Sequence, residues 1–270
     1  MDRPSEKVLP PVAADRPIGV FDSGVGGLSI LRALRAELPR EDFVYFSDAG
    51  HAPYGEKGEE FVSRRSLAIA VELLEQHRIK ALVIACNTAT AAAVHLVRAK
   101  HIALPVVGVE PALKPAAALT KTRHVAVLAT RGTLSSAKFK ALQESLKDQA
   151  EFVLVPCDGL AAAIENDDQP LVRELCRRYT REACCFGTGP GEIDTLVLGC
   201  THYPFAADVL RDLLGPHVQL VETGQPVARQ TRRLLQAQGL LNPSGHGTVK
   251  FHTTGDPTAL QAAASRWLSL

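Results

Sequence analysis

Short apolar runs alternate with stretches of helical period along most of the chain. Ile18 to Phe21, Phe43 to Phe46 and Ala81 to Ala85 are continuous apolar runs too short for helices, and they predict strands buried on both faces. Between them Leu28, Leu31, Leu34 and Leu38 keep to one helical face, as do Leu67, Val71 and Leu74. The same alternation restarts after Gly108. Val125 to Ala129 predicts a strand, Ser135 the N-cap of a helix with Phe139, Leu142 and Leu146 in phase, and Phe152 to Val155 and Thr195 to Leu198 two further strands. A helix around Val227 to Leu240 and a strand around Val249 to Thr253 complete the pattern.

Alternating strands and helices are the signature of an α/β protein. The expectation is two pseudosymmetric α/β domains with mostly parallel sheets, their site in the interdomain cleft, because ligands of such sheets bind outside the carboxyl ends of strands. The segment from 223 onward fits either half on sequence order alone. The division adopted is a flexible tail at 1–17, a first domain from 18–109 plus 223–270, and a second from 110–222.

Two corners repeat. The strands at 81–85 and 195–198 are each followed by a cysteine and polar residues, Cys86-Asn87-Thr88 and Cys200-Thr201-His202. With Asp22-Ser23, Pro53-Tyr54-Gly55 and Thr130 to Thr133, these strand-end loops would line one cleft. A thiol between a strand and the start of a helix faces backbone N–H groups, which lower its pKa from about 8.5 toward neutrality and make a base of it. Cys157, Cys176, Cys184 and Cys185 lack that context and are expected to be small core hydrophobes. His202 is expected to be an acid–base partner of Cys200, and Asp22 to cap the following helix while facing the cleft.

Composition narrows the classes. The 270 residues are 46% hydrophobic and 22% charged, with 30 Lys and Arg against 29 Asp and Glu. A formal charge of +1 gives no basic excess for nucleic acid. The most apolar stretch, Ala81 to Val94, is broken by Asn87, Thr88 and Thr90 and is too short to cross a membrane. Residues 1–17 carry four prolines and no apolar leader segment, which points to a cytoplasmic protein. The six cysteines include no C-x-x-C pair, so Cys86, Cys200, His202 and His51 make a poor metal set. The glycine-rich Asp22 to Gly27 turn matches neither phosphate-binding pattern, and no strand-end loop offers a lysine for pyridoxal phosphate, so no cofactor is expected.

Five strings carry a family resemblance: VFDSGVGGLS (20–29), DAGHAPYGEK (48–57), ACNTAT (85–90), GVEPALKPA (108–116) and LVLGCTHYP (196–204). Over about residues 18–255 the chain resembles the glutamate racemases, cofactor-independent enzymes of the aspartate/glutamate racemase superfamily. The resemblance implies interconversion of L- and D-glutamate, supplying D-glutamate for peptidoglycan synthesis. It implies Cys86 as the residue that handles the proton of D-glutamate and Cys200 that of L-glutamate. It further implies that Asp22, Ser23, Tyr54, Gly55, Asn87, Thr88, Thr201 and His202 bind substrate or assist the thiols, that Thr130 and Thr133 help hold the side-chain carboxylate, and that Glu165 stands near His202. A homodimer is a family expectation. Two departures stand out: Gly108-Val109-Glu110-Pro111 is one residue shorter than the usual G-V-I-E-P, and Glu222-Thr223 stands where many members have Asp-Ser. The alternatives are an aspartate racemase, another two-cysteine racemase, or a non-catalytic homologue that binds an amino acid or a protein partner.

Overall fold

The computed structural model describes residues 13–268. In chain order the elements are β1 (Ile18–Asp22), α1 (Leu28–Glu37), β2 (Phe43–Ser47), α2 (Glu59–His77), β3 (Ala81–Ile84), α3 (Asn87–Lys100) and β4 (Val106–Gly108). Then come α4 (Leu113–Leu119), β5 (His124–Ala129), α5 (Arg131–Ser135), α6 (Ala137–Glu144), β6 (Glu151–Pro156), α7 (Leu160–Glu165), α8 (Gln169–Ala183) and β7 (Thr195–Leu198). The chain closes with α9 (Ala207–Leu214), β8 (Gln219–Val221), α10 (Gly224–Ala237), β9 (Val249–Thr253) and α11 (Pro257–Leu268).

The strands form two sheets, ordered β4-β3-β1-β2-β9 and β6-β5-β7-β8, and every pairing is parallel. Helices cover both faces of each, which is why the central strands have no polar face: β1, β2, β3 and β7 are buried throughout. On one side of the first sheet Leu28, Leu31 and Leu34 of α1 pack with Val227, Ala228 and Leu235 of α10, and on the other Leu73 of α2 meets Val97 of α3. The second sheet is sandwiched between α7, α8 and α9 on one side and α4 and α6 on the other. Residues from Gly224 onward build onto the first sheet, with β9 pairing β2 and α10 lying along α1.

Sheet order fixes where a site can form. In the first sheet the chain runs from β1 to β2 on one side and returns to β3 on the other. In the second it runs from β5 to β6 and returns to β7. The crevices where direction reverses therefore open beside β1 and β3 and beside β5 and β7, at their carboxyl ends. Registers match as well: Phe21 pairs Ile84, Leu128 pairs Leu198, and in each half the cysteine comes two residues later, at Cys86 and Cys200. The Ala85 amide bonds to the Phe21 carbonyl at 2.6 Å, and the Gly199 amide to that of Leu128 at 2.7 Å.

Several local expectations are corrected. Ser136, not Ser135, caps α6, its hydroxyl accepting the Phe139 amide at 3.2 Å, because Thr130 starts a separate short helix that Ser135 ends. Helix α10 begins at Gly224, before Val227, since Pro226 falls in the first turn, where its missing N–H is no loss. Asp22 does not cap α1, whose N-cap is Gly27; its carboxylate turns back to accept the Gly24 amide at 2.7 Å. Most of the 1–17 segment lies outside the described residues. The part within is tied down: the Lys80 amide bonds to the Pro17 carbonyl at 2.9 Å and its Nζ to that of Ala14 at 2.5 Å. Lys80 is fully buried and pairs with Glu41.

Candidate active site

A cavity of about 250 Å³ opens between the carboxyl ends of the two sheets, below the roughly 300–1,000 Å³ of sites for drug-sized ligands and so suited to a small molecule. Ser23, Tyr54, Gly55, Cys86, Asn87, Thr88, Thr130, Glu165, Cys200, Thr201 and His202 all line it. Asp22 and Thr133 do not. Asp22 is fully buried behind Ser23, and Thr133 is buried behind Thr130, their hydroxyls 3.0 Å apart.

The Cys86 corner belongs to the first sheet. Cys86 is the N-cap of α3, and its Sγ accepts the Ala89 amide at 3.4 Å and donates to Ser23 Oγ at 3.6 Å. The expectation of a depressed thiol pKa is overturned here. Burial, reinforced by the charge of Asp22, outweighs the Ala89 amide and the Ser23 hydroxyl and pushes the Cys86 thiol up to about 12. Asp22 is itself pushed up to about 6, chiefly by burial, with His202 and the Gly24 amide pulling the other way. Its second oxygen accepts the Thr201 hydroxyl at 3.2 Å, a bond across the two halves.

The Cys200 corner differs. No α-helix starts at Cys200; a short 3-10 turn, Tyr203–Ala206, intervenes before α9. The partner of the thiol is a side chain, His202 Nδ1 at 3.7 Å, while His202 Nε2 meets Glu165 Oε2 at 2.6 Å. Glu165 also accepts the Val25 amide, at 2.9 Å from Oε2. A neutral imidazole with its proton on Nε2 donates to Glu165 and accepts the Cys200 S–H at Nδ1, whereas opposite a Cys200 thiolate the ring is served on both sides only as imidazolium. Burial alone would disfavour that charge; Cys200 and Glu165 outweigh it and raise the His202 pKa well above its ordinary value. Reciprocally, His202 and the Val25 amide overcome burial and hold Glu165 below the usual carboxylate range.

Glycines let the halves meet. A Cβ at Gly24 would lie 2.4 Å from Glu165 Oε2 and one at Gly26 2.3 Å from His202 Nδ1. Ser29 Oγ donates toward the Gly26 and Thr201 carbonyls at 2.8 and 2.7 Å, and Tyr45 OH to the Gly24 carbonyl at 2.7 Å, fixing the turn against its partner. On the far wall the Thr88 and Thr130 hydroxyls are 3.2 Å apart, linking α3 to the start of α5. Asn87 donates through Nδ2 to the Val109 carbonyl at 3.2 Å, which fixes its amide and leaves Oδ1 buried without a partner. The Tyr54 loop is anchored by Asp48, which accepts Tyr54 OH at 2.5 Å, Arg65 Nη2 at 2.6 Å and Thr254 Oγ1 at 2.9 Å.

The cavity also takes in side chains to which the sequence reading gave no role there. Cys157 was assigned to the core, and it is buried, yet it also lines the cavity; its signal was its place just after a strand, like the other corner residues. Arg131, the first residue of α5, and Asp158, just after β6, pair at 2.5 Å beside it and are exposed. Cys184 and Cys185, also assigned to the core, are exposed. His51 is bonded to Asp48 at 3.0 Å, away from Cys86 and Cys200, and among the described residues no three His, Cys, Asp or Glu side chains are grouped to hold a metal ion.

Known proteins are similar to this chain in sequence and fold. The chain is 51% identical over 229 residues to the glutamate racemase of Methylococcus capsulatus, covering 84% of this chain and 82% of that protein. A crystal structure of glutamate racemase from Francisella tularensis in complex with D-glutamate matches with a TM-score of 0.80 at 29% identity, covering 95% of each chain. Escherichia coli glutamate racemase, in complex with L-glutamate and the activator UDP-MurNAc-ala, matches with a TM-score of 0.80 at 31% identity over 93% of this chain and 95% of that one. The sequence model for Asp/Glu/hydantoin racemases spans residues 19–231, from β1 through both cysteine corners into α10. Two parallel sheets, a shared cavity and a cysteine at the equivalent corner of each thus accompany a match over most of the chain: this protein belongs to the Asp/Glu/hydantoin racemase family.

Proposed function

We propose that this protein is a glutamate racemase, interconverting L- and D-glutamate by two-base proton transfer at Cα without a cofactor. One observation carries the reading: two buried thiols, placed by equivalent strand ends of two different sheets, line one small cavity. Inverting a stereocentre requires a proton to leave one face and another to reach the opposite face, and residues delivered from opposed halves meet that need.

The charges set the direction of each thiol. Cys200, against the His202 imidazolium, is the thiolate that takes the Cα proton of L-glutamate. Cys86, held protonated by burial and Asp22, donates to the other face and yields D-glutamate. The turnover leaves Cys200 as thiol and Cys86 as thiolate, the state that accepts D-glutamate. Asp22 and His202 return each thiol to its starting form, and Glu165 acts through His202. The unpartnered Asn87 Oδ1 accepts the substrate ammonium. Ser23, Thr201 and backbone amides stabilise the charge that develops on the α-carboxylate, while Tyr54, Gly55, Thr88 and Thr130, backed by Thr133, position the side-chain carboxylate. The protein works in the cytoplasm as a homodimer, supplying D-glutamate for peptidoglycan. Sedimentation analysis checks the dimer.

Circular dichroism of L-glutamate incubated with the protein is the direct assay. The signal should decay to zero, and dialysis against a chelator should not slow it. Aspartate should give a lower kcat/KM. Cys86→Ser and Cys200→Ser should each lower the rate at least about 10²-fold, since a hydroxyl is too weak an acid to replace a thiol. A folded protein that leaves the L-glutamate signal untouched would instead favour the non-catalytic homologue.

A further inference from the structure

Four of the six cysteines are buried, and two, Cys184 and Cys185, are exposed neighbours in sequence. Their sulfurs are 2.7 Å apart, and both residues have positive φ, 63° and 41°. That region is uncommon for residues other than glycine, asparagine and aspartate, and two such residues in succession bend the backbone sharply. The bend has a visible effect: it turns two side chains that would point apart on an extended strand to the same side. The turn is held from outside, with the Cys184 amide bonded to the Arg181 carbonyl at 3.1 Å and the Cys185 carbonyl accepting the Ile193 amide at 2.8 Å.

We propose that Cys184 and Cys185 form a redox modification site, a dithiol that low-molecular-weight disulfides oxidise reversibly to a bridge between the two neighbours. In the first step the Cys184 thiolate attacks a sulfur of the small disulfide, forming a mixed disulfide and expelling one small thiolate. In the second the Cys185 thiolate attacks the Cys184 sulfur and expels the other. The protein loses two thiol protons and two electrons, and one small disulfide becomes two small thiols. Contact with the Cys184 sulfur raises the Cys185 thiol above its ordinary value, which fits Cys184 as the attacking and Cys185 as the resolving thiol. Closing to a bond of about 2.05 Å takes less than an ångström of sulfur motion.

Covalent geometry makes the bridge easy to undo. Adjacent Cα atoms across a trans peptide stand about 3.8 Å apart, short of the roughly 4.4–6.8 Å usual for disulfides, and strained, exposed bridges are the readily reduced ones. The site lies apart from the cavity. Phe186 bridges to Ile193, two residues before β7, whereas Cys200 follows the other end of that strand. Cys176 is buried in the core and Cys86, Cys157 and Cys200 are buried along the cavity wall, so the exposed pair reacts first.

The test incubates the native protein with glutathione disulfide, caps remaining thiols by alkylation and maps them by mass spectrometry. The peptide holding both cysteines should lose two hydrogens, carry no lasting glutathione adduct and regain two alkylatable thiols after dithiothreitol. Cys184→Ser and Cys185→Ser should each trap a stable glutathione adduct on the remaining cysteine, and the double serine variant should lose the reaction while racemising glutamate at the parent rate. A lasting glutathione adduct on the parent pair, a bridge between chains, or first reaction at a buried cysteine would overturn the proposal.

Discussion

Asp22 is a buried acid whose ionisation strains the fold. Its pKa lies near 6 against 3.8 for a free aspartate, so the folded state holds this proton more tightly than the unfolded one. The protonated carboxyl therefore stabilises the fold below about pH 4, and that contribution is lost as pH rises through about 6. At pH 8 the cost is of the order of 2 to 3 kcal/mol. Asp22→Asn should accordingly raise stability in denaturant melts at pH 8 and add nothing at pH 4, while lowering racemisation about 10²-fold because an amide cannot accept a proton. Equal gains at both pH values would show that the carboxyl is not titrating. Glu165 works by the opposite logic, keeping His202 cationic beside Cys200. In Glu165→Gln the imidazolium loses its counter-charge and its pKa falls, so the alkaline limb of kcat/KM for L-glutamate should move to lower pH. An unmoved limb would count against His202 as the charge that sustains the Cys200 thiolate.

At the scale of elements, the Asp22 to Gly27 turn is where the halves interlock. Gly26 has room for a hydrogen alone, since a Cβ would fall 2.3 Å from His202 Nδ1, although its backbone is not in the positive-φ region. Gly26→Ala should therefore fold, displace the His202 ring from Cys200 and lower kcat about 10²-fold with little change in the melting transition. Retained activity would mean that the ring has freedom the packing denies it. The strands around this turn were legible because strands buried on both faces are continuous apolar runs, as at Ile18 to Phe21 and Ala81 to Ala85. Element ends were less so, since Ser135 and Ser136 are equally good caps and only the break after α5 selects the second. The cysteine corners were legible as places and not as environments. Helix-start geometry argued for a low thiol pKa at Cys86, but burial and Asp22, brought close by β1–β3 pairing, decide otherwise. The same local sequence gave no hint that Cys184 and Cys185 turn outward while Cys176, one helix face earlier, is wholly buried.

On the scale of the whole molecule, two sheets with the same return of direction place two thiols at matching corners of one cavity, and the hydrogen bonds from Thr201 to Asp22 and from Ser29 to the Thr201 carbonyl hold those corners to each other. The corners match in the strand ends that carry them and differ in the helix that follows and in charge: an acid beside Cys86, an imidazolium beside Cys200. In the proposed mechanism that asymmetry lets one thiol remove a proton while the other supplies a different one. Racemisation of L-glutamate in deuterated water, sampled early and analysed by mass spectrometry after separating the enantiomers, tests this directly. Two thiols acting on opposite faces predict D-glutamate carrying solvent deuterium at Cα while the remaining L-glutamate stays largely protiated. D-glutamate that keeps the original hydrogen to a substantial extent would mean that one base serves both faces, and would contradict the account.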